Sequence, residues 1–431
     1  MTTINLRARR RSRTADVERL LGDRTGLVSD VTFDPSGRDG DPTLNVDVDA
    51  AAIGRSLPQD REEDPDPAAG GKGHTSTEAL VTAVGEFTER YCAFWPTTVH
   101  AHRTTEATYE ELAAGETDVV DFEYLTPFDA ADLRERGLGP FDRRTEIRWV
   151  AGTNLLDGEE VFVPSPLVGL GDTTDGDPYF FSTSNGLACG PDLPSALVGA
   201  AYETVERDAV MRSWYRQEPP TRLALDEWPE LREQRRAFEN DFATYRLCRF
   251  ETDHDLHTLG VTYVDERDRT PKFVLAASAD LDFASAARDA LVEAAQGVRS
   301  IQTTVAYEGV PEVESPGVMN LEENFKYYAS PEHFEEVSVY FEGDREVVPR
   351  RDDREFEDSR AELDACLDAF DAAGATPVAF DLTTPGVRDA GLRVARWYVP
   401  ELVALCPPAL PPKNHPALAD DDLTHRGHPF P

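Results

Sequence analysis

Lysine is scarce in this sequence. Only four of its 431 residues are lysines, and arginine supplies the other strong bases. Lys and Arg together number 43 against 82 Asp and Glu, for a formal net charge of −39. So acidic a chain excludes proteins that bind nucleic-acid backbones through basic surfaces. The lysine-poor, acid-rich balance favours adaptation to high salt, as in halophilic archaea, because salt screens the repulsion among like charges.

Paired cysteines and long apolar runs are also absent. The five cysteines are odd in number and form no C-x-x-C pair, which predicts reduced thiols in a cytoplasmic protein. No stretch approaches the ~20 apolar residues of a spanning helix. The basic start, "LRARRRSRTADVERLLGD", has no apolar run behind it, so we expect neither a signal peptide nor a membrane anchor.

What the sequence does contain is an alternation of strand-like and helix-like segments. Residues 1–60 are interpreted as an N-terminal segment and 61–431 as one domain with a Pro-rich tail. The predicted fold class is α+β, with helices packed on largely antiparallel sheets around one cleft. The runs typical of strands are "LNVDVDA", "TEIRWVAGTNL", "HTLGVTYVDE" and "TPVAFDLT".

The pattern Glu-x-x-Glu-Arg occurs twice, as "GEFTERY" at Gly85–Tyr91 and as "YETVERD" at Tyr202–Asp208. Apolar residues at steps of three and four predict a helix around each copy. At ~100° per residue, both copies place two glutamates and an arginine together, away from the apolar stripe. A chain this acidic also forms such pairs on solvated helix faces. Repetition of the pattern favours a shared site.

A glycine-bearing turn is predicted before each copy. In "GGKGHTSTEA" the glycines free the backbone to turn N–H groups toward an anion, Lys72 adds a mobile positive charge, and Thr75 with Glu78 forms a capping box. The Walker A spacing is absent. The second turn, "TSNGLACG", is predicted to follow a strand and to present Ser184 and Asn185. Carboxylates beside such a turn suit Mg²⁺ and nucleotide phosphates.

A third helix, predicted from "SAARDALVEAAQGVRSIQ", has a polar face. Arginines on a solvated face are common, so a structural interpretation of this helix stays open. The polar face carries Arg288, Glu293, Gln296 and Arg299.

The chain resembles the YcaO superfamily, whose members activate peptide-backbone amides with ATP. The resemblance rests on five blocks in family order, from about Gly71 to Pro431. These are "GKGHTSTEALVTAVGEFTERY", "SNGLACGPDLPSALVGAAYETVERDAVMRSWY", "AARDALVEAAQGVRS", "DLTTPGVRDAGLRVARWYVPEL" and "HPFP".

The resemblance implies ATP and Mg²⁺ as cofactors and a role for each matching position. Glu89, Glu203 and Glu206 would hold Mg²⁺. The tail resembles the Pro-x-Pro-x-Pro ending of azoline-forming members, with Gly427 in place of the first proline, and Pro431 would reach the active site; a disordered tail is the structural alternative. The implied nucleotide-binding residues are Lys72, Thr82, Glu86, Asn185, Arg207, Arg288 and Gln296.

Three functions remain open at this stage. A cyclodehydratase would form azolines in a ribosomally made peptide or protein, thioamide formation would need a sulfur-donating partner, and a degenerate scaffold would only dock the peptide. The N-terminal segment is too short for a fused E1-like peptide-binding domain, so we expect a separate E1-like or sulfur-transfer partner protein, and a homodimer is a further expectation. His254 and His257 are interpreted as an unpromising zinc pair, and Cys92 and Cys189 as packing residues rather than nucleophiles.

Overall fold

The computed structural model describes residues 17–22, 26–34, 44–50, 69–73, 75–94, 99, 101–170, 179–309, 321–341, 346–349, 354–418 and 422–430. The α-helices of these ranges are α1 (Ser76–Phe94), α2 (Tyr109–Ala113), α3 (Ala130–Glu135), α4 (Leu193–Arg216), α5 (Pro229–Phe238), α6 (Phe283–Glu308), α7 (Leu321–Ala329), α8 (Ser359–Ala373) and α9 (Pro385–Ala390). Each helix in this part of the chain is too short or too polar to cross a membrane.

The strands form three sheets. They are β1 (Val28–Asp34), β2 (Leu44–Ala50), β3 (Ala69–Gly73), β4 (Thr104–Ala107), β5 (Asp118–Val119), β6 (Ile147–Asn154), β7 (Glu160–Pro164), β8 (Leu187–Gly190), β9 (Thr221–Leu223), β10 (Ala243–Arg249), β11 (His257–Asp265), β12 (Phe273–Asp280), β13 (Glu346–Val347), β14 (Val378–Asp381) and β15 (Arg393–Tyr398).

Strand pairing is mostly antiparallel. The first sheet has the order β1-β2-β3, the second β12-β11-β10-β9-β13, and the third β5-β7-β6-β14-β15-β8 with β4 beside β6. Only the short pairs β5/β7 and β9/β13 run parallel among the described strands. The predicted α+β class with largely antiparallel sheets is therefore confirmed.

Local sequence patterns account for many of these elements. The alternation of "LNVDVDA" buries Val46 and Val48 in β2. The three other strand-like runs become β6, β11 and β14. The capping box is present, since Thr75 N–H donates to Glu78 and Glu78 N–H donates to Thr75 Oγ1.

Both predicted glycine turns are wrong in detail. Ala69–Gly73 is strand β3, paired with β2, because Gly71 lets the strand lie against α1; a Cβ there would be 2.1 Å from the carbonyl oxygen of Ala79. The second turn begins strand β8 instead of ending one. Gly186 makes that turn with a φ of +69°, and a Cβ on it would meet the carbonyl of Trp397 at 2.1 Å.

Helix α4 lies at the centre of the fold. Its apolar side chains pack on β8, β15 and α8 near its start, and on an aromatic cluster around Trp214 near its end. Helix α1 packs under β3 and β8, and α6 covers β11 and β12. One polar face of each of α1, α4 and α6 is left to meet in a shared cleft, which positions the site described next.

Candidate active site

Five glutamates from three helices form the carboxylate cluster of this site. Glu86 and Glu89 come from α1, Glu203 and Glu206 from α4, and Glu293 from α6. Their charges influence one another: Glu203 acts on both Glu89 and Glu206, and Glu293 acts on Glu86, Glu203 and Glu206. The structure thus brings the two Glu-x-x-Glu-Arg copies together, although more than a hundred residues separate them.

Burial dominates the electrostatics of the cluster. Burial raises the pKa of Glu86 and of Glu203, and raises that of Glu89 and Glu206 well above the usual range. Neighbouring carboxylates add to the rise, with Glu203 acting on Glu89 and Glu293 acting on Glu206. Both effects disfavour the negative charge of these carboxylates.

Three cations neutralise part of this charge. Lys72 Nζ lies 2.9 Å from Glu293 Oε2, and Arg207 Nη2 lies 2.7 Å from Glu203 Oε1. Arg90 Nη2 pairs with Glu86 Oε1 at 2.5 Å. Lys72 belongs to β3, so the lysine predicted for an anion-binding turn reaches the site from a sheet edge.

Glu89 and Glu206 have no cation partner among the described residues. Glu89 Oε1 accepts a 2.8 Å hydrogen bond from the backbone N–H of Cys189, and Glu206 accepts none within the same ranges. Half-buried carboxylates that form no ion pair fit a divalent cation. No three ligating side chains in the described ranges close around a bare ion. That openness suits Mg²⁺, which usually takes one or two carboxylates together with phosphate oxygens and water.

Asn185 connects the site to a distant segment. Arg207 Nη1 donates to Asn185 Oδ1 at 2.7 Å, and the same oxygen accepts from the N–H of Leu405 at 3.2 Å. Asn185 Nδ2 donates to the carbonyl of Leu405 at 2.8 Å and to Thr183 Oγ1 at 2.6 Å. The amide therefore orients the Arg207 guanidinium and the chain at Leu405.

The remaining residues predicted to bind the nucleotide lie at the margins of the carboxylate cluster. Thr82 is exposed on the first turns of α1, and its Oγ1 donates to the carbonyl of Glu78. Gln296 lies one turn after Glu293 and close to β3, since a Cβ on Gly70 would be 3.8 Å from its Nε2. Arg288 is exposed near the start of α6, where its charge acts on Asp282. The structure places Gln296 beside the cluster and Arg288 closer to the helix start.

The C-terminal tail, residues 422–430, is packed into the protein. Phe430 is buried in the aromatic cluster around Trp214. Tyr328 Oη donates to the carbonyl of Gly427 at 2.6 Å, and Trp214 Nε1 donates to that of Arg426 at 3.1 Å. The predicted catalytic residue, Pro431, lies outside the described residues. A docked tail contradicts the disordered alternative up to Phe430.

His428 fixes the end of this tail beside the site. Its Nε2 lies 2.9 Å from the carbonyl oxygen of Cys406 and its Nδ1 lies 3.0 Å from that of Phe430. Burial, with a smaller contribution from the Arg207 charge, lowers the pKa of His428 to about 4. Cys406 follows Leu405, whose backbone pairs with Asn185, so His428 docks the described part of the tail near the residue that orients Arg207.

Sequence reasoning missed Glu293 and Arg396 as site residues. The helical pattern already placed Glu293 on the polar face of α6. Its i,i+3 spacing to Gln296, a predicted site residue, was the sequence feature that could have identified it. Arg396 is a buried arginine within the apolar strand β15. Its Nε and Nη2 donate to the carbonyl of Leu167 at 3.0 and 2.8 Å. No local sequence pattern predicts that contact.

The other sequence candidates contribute no side chain to the site, although the backbone N–H of Cys189 donates to Glu89. Burial lowers the pKa of His254 to about 4, and its ring stacks on Phe370. Cys92 is buried, burial raises its pKa to about 12, and its thiol donates to Thr384 Oγ1 at 3.8 Å. A thiol so reluctant to ionise suits the predicted packing role.

Residues 70–403 match the sequence profile of the family described as YcaO cyclodehydratase, ATP- and Mg²⁺-binding. A curated relative from Rhizobium leguminosarum bv. trifolii, an uncharacterised protein in the tfuA 3′ region, is 31% identical over 139 residues. That alignment covers 32% of this chain and 30% of the relative.

Two solved structures are similar in fold. A heterocyclase in complex with substrate and cofactor has a TM-score of 0.73 at 16% identity, over 91% of this chain and 53% of that one. The YcaO protein of Methanopyrus kandleri, solved with AMPPCP and Mg²⁺, has a TM-score of 0.62 at 22% identity, over 87% and 86%. The chain thus spans about half of the heterocyclase and less than a third of the curated relative. The predicted family and its cofactors, ATP and Mg²⁺, are confirmed.

Proposed function

The chain belongs to the YcaO family, and on that premise we propose that it uses ATP to activate backbone amides of a peptide or protein, forming azolines. The observation that carries the proposal is the carboxylate cluster, in which α1, α4 and α6 present five glutamates beside Lys72 and Arg207. Two of those glutamates, Glu89 and Glu206, are half-buried and form no ion pair among the described residues, although burial disfavours their charge. A scaffold would have no need to keep two such carboxylates unpaired.

We assign Glu89, Glu203 and Glu206 to Mg²⁺. Bound Mg²⁺ would neutralise phosphate charge and fix the position of the triphosphate. Lys72 and Arg207 now pair with Glu293 and Glu203, and we expect both cations to turn to the triphosphate when it enters. The glutamates that they leave then become free to act as oxygen ligands.

The proposed reaction removes an amide oxygen as phosphate. The thiol or hydroxyl of a Cys, Ser or Thr residue loses its proton and adds to the carbonyl carbon of the preceding amide. The resulting oxyanion takes the γ-phosphoryl group of ATP, and ADP leaves. The C–O bond then breaks, phosphate departs with the former amide oxygen, and loss of the N–H proton completes the C=N bond of the azoline.

The chain's own residues contribute position and charge. Asn185 holds Arg207 toward the cluster, so the guanidinium is oriented before substrate binds. Charge fixed in advance at a half-buried site stabilises a developing oxyanion and phosphate more than water does. We propose that the Pro431 carboxylate moves a proton during amide attack. Burial of Phe430 and the contact of His428 with Cys406, next to the Leu405 that Asn185 binds, support that role.

Thioamide formation is the second candidate. The observation that favours it is Gly427, which departs from the Pro-x-Pro-x-Pro ending of azoline-forming members. Sulfide would then replace the side-chain nucleophile, and the amide oxygen would leave as phosphate in the same way. The two products differ in mass, because an azoline has lost one water whereas a thioamide has exchanged oxygen for sulfur.

We also propose that a separate protein delivers the substrate. We expect this partner to be of E1-like or sulfur-transfer type. A similar fold at 13% identity is found in the E. coli microcin synthetase McbBCD complex, which supports the proposal of a partner protein.

The test is reconstitution at high salt with Mg²⁺, ATP and the short peptides and partner proteins encoded beside this gene. We expect ATP-dependent loss of one water from a peptide containing Cys, Ser or Thr. Exchange of oxygen for sulfur would move the assignment to thioamidation. ATP-independent peptide binding without any mass change would leave only the scaffold.

A further inference from the structure

An aromatic cavity adjoins the carboxylate cluster on the side of Arg207 and Asn185, both of which line it. Its volume is about 120 Å³, close to the ~150 Å³ of engineered apolar cavities that admit benzene. The space therefore suits one aromatic or branched aliphatic side chain. Rings form much of the wall, namely Tyr124, Phe128, Tyr179, Phe180, Phe181 and Tyr398.

The polar end of this cavity contains the buried guanidinium of Arg396, which is 3% exposed. Its Nε and Nη2 donate to the carbonyls of Leu167 and Thr183, which also line the cavity. Nη1 has no acceptor within the described parts of the chain. A buried donor without an acceptor is costly and rare, so an acceptor from a ligand would satisfy it.

The surroundings of Arg396 argue against a free anion as that ligand. Burial lowers the pKa of Arg396 to about 10, the Glu203 carboxylate raises it, and Arg207 lowers it. Glu203 already supplies negative charge to both arginines. A neutral acceptor such as a peptide carbonyl completes the hydrogen bonding without adding charge to an apolar wall.

We propose that this cavity is the specificity pocket for the substrate residue whose carbonyl is activated, the residue just before the reacting Cys, Ser or Thr. The apolar side chain of this substrate residue fills the cavity and packs on its aromatic wall. Arg396 Nη1 donates to a neighbouring backbone carbonyl of the peptide. Continuity of the cavity with Arg207 places that amide next to the phosphate-binding groups. The inference rests on the proposed function and adds a substrate class to it: peptides with an aromatic or branched residue before the reacting one.

Arg396 is accordingly a substrate-positioning residue. Lysine at this position would keep the charge but lose the planar set of donors that spans Leu167, Thr183 and the peptide. We expect Arg396→Lys to weaken peptide binding while the affinity for nucleotide stays near that of the parent.

The experiment measures binding of fluorescein-labelled pentapeptides Gly-Xaa-Cys-Gly-Gly, with Phe, Leu, Gly or Asp as Xaa, in the presence of AMPPCP and Mg²⁺. The parent should bind the Phe and Leu peptides about tenfold or more tighter than the Gly and Asp peptides. Phe181→Ala, which removes a ring packed 5.4 Å from Phe128, should erase most of that preference. The matched control is Phe242→Ala, at a ring that is 47% exposed.

The outcomes separate the occupants. A parallel loss of AMPPCP affinity in Phe181→Ala would assign the cavity to the nucleotide and overturn the inference. Equal binding of all four peptides by the parent would overturn it as well. Selective binding without product in the reconstituted reaction would keep the pocket and remove the proposed chemistry. Product formation without any preference at Xaa would support the proposed chemistry and overturn the specificity pocket. If Arg396→Lys does not fold, the peptide series and Phe181→Ala decide alone.

Discussion

Lys72 Nζ lies 2.9 Å from Glu293 Oε2, so an edge strand near the start of the described chain is joined to a helix 221 residues later. Both side chains are partly exposed, at 21% and 33%. Such a pair adds little to stability, about 0–1 kcal/mol. The pair lies beside Glu206 and Glu86, so its role is functional: it positions Lys72 at the carboxylate cluster.

The first prediction concerns this lysine. Lys72→Gln should lower AMPPCP affinity in Mg²⁺ by about ten- to a hundredfold, because a charge-assisted hydrogen bond to phosphate is worth ~1.5–3 kcal/mol. The melting temperature should change by no more than a few degrees. Calorimetric titration measures the affinity. Lys413→Gln, which removes a lysine paired with Asp132 elsewhere, is the control and should bind AMPPCP like the parent.

The second prediction separates function from stability at Glu206. Glu206→Gln should abolish ATP turnover yet leave the melting temperature equal or higher, because burial and Glu293 disfavour the charge that it removes. Glu227→Gln, at an exposed position, should change neither property. Parental ATP turnover by Glu206→Gln would contradict the assignment of this carboxylate to Mg²⁺.

The third prediction is a dependence of stability on pH. The pKa of Glu89 and of Glu206 is raised in the folded state, so their contribution is present below the unfolded value of ~4.3 and is lost as pH rises through the raised values. Without Mg²⁺, these two carboxyl groups should therefore lower the melting temperature as pH rises from ~4.3 through their raised pKa values. The double variant Glu89→Gln/Glu206→Gln should lose most of this slope, which thermal melts across pH measure.

The buried histidines make stability depend on pH in the opposite direction, and they do so at lower pH. Burial lowers the pKa of His254, His415 and His428 to about 4. Their contribution is present above the unfolded value of ~6.5 and is lost as pH falls through about 4. A melting temperature that rose steadily from neutral pH to below pH ~4 would contradict their burial as neutral rings.

The fourth prediction concerns the tail. A few residues appended after Pro431 should sharply reduce peptide modification and leave AMPPCP affinity unchanged, because the helices bind the nucleotide. Deleting Phe430 and Pro431 is the poorer test, since loss of a buried Phe side chain costs ~3–5 kcal/mol in stability. Undiminished product from the extended protein would remove the tail from catalysis.

The fifth prediction tests how the tail is docked. A Cβ on Gly427 would lie 3.0 Å from both Cβ and the carbonyl oxygen of Pro408, so Gly427→Ala should destabilise the docked tail by ~1–3 kcal/mol. Gly386→Ala, at a position with open space, is the control. Proteolysis of the C-terminus should be faster only in Gly427→Ala, and equal rates in both variants would contradict close packing at Gly427.

The sequence was sufficient to predict features that depend on local spacing. The repeated Glu-x-x-Glu-Arg pattern placed acidic faces on α1 and α4, and helix periodicity located the α6 face with Gln296. Features set by distant contacts were predicted wrongly or missed. The glycines before α1 form a strand because Ala79 lies against Gly71, and Asn185 turns to Leu405 as well as to Arg207. Arg396 was missed because its partners, Leu167 and Thr183, meet it only after folding.

The central claim is that the carboxylate cluster serves the transfer of a phosphoryl group from ATP to an amide oxygen. The most direct measurement uses a substrate peptide whose reacting amide carries a heavy oxygen isotope. Mass analysis of the released phosphate then shows whether the label is present. The account predicts that the label passes into inorganic phosphate, one for each heterocycle or thioamide formed. Unlabelled phosphate accompanying a modified peptide would contradict it.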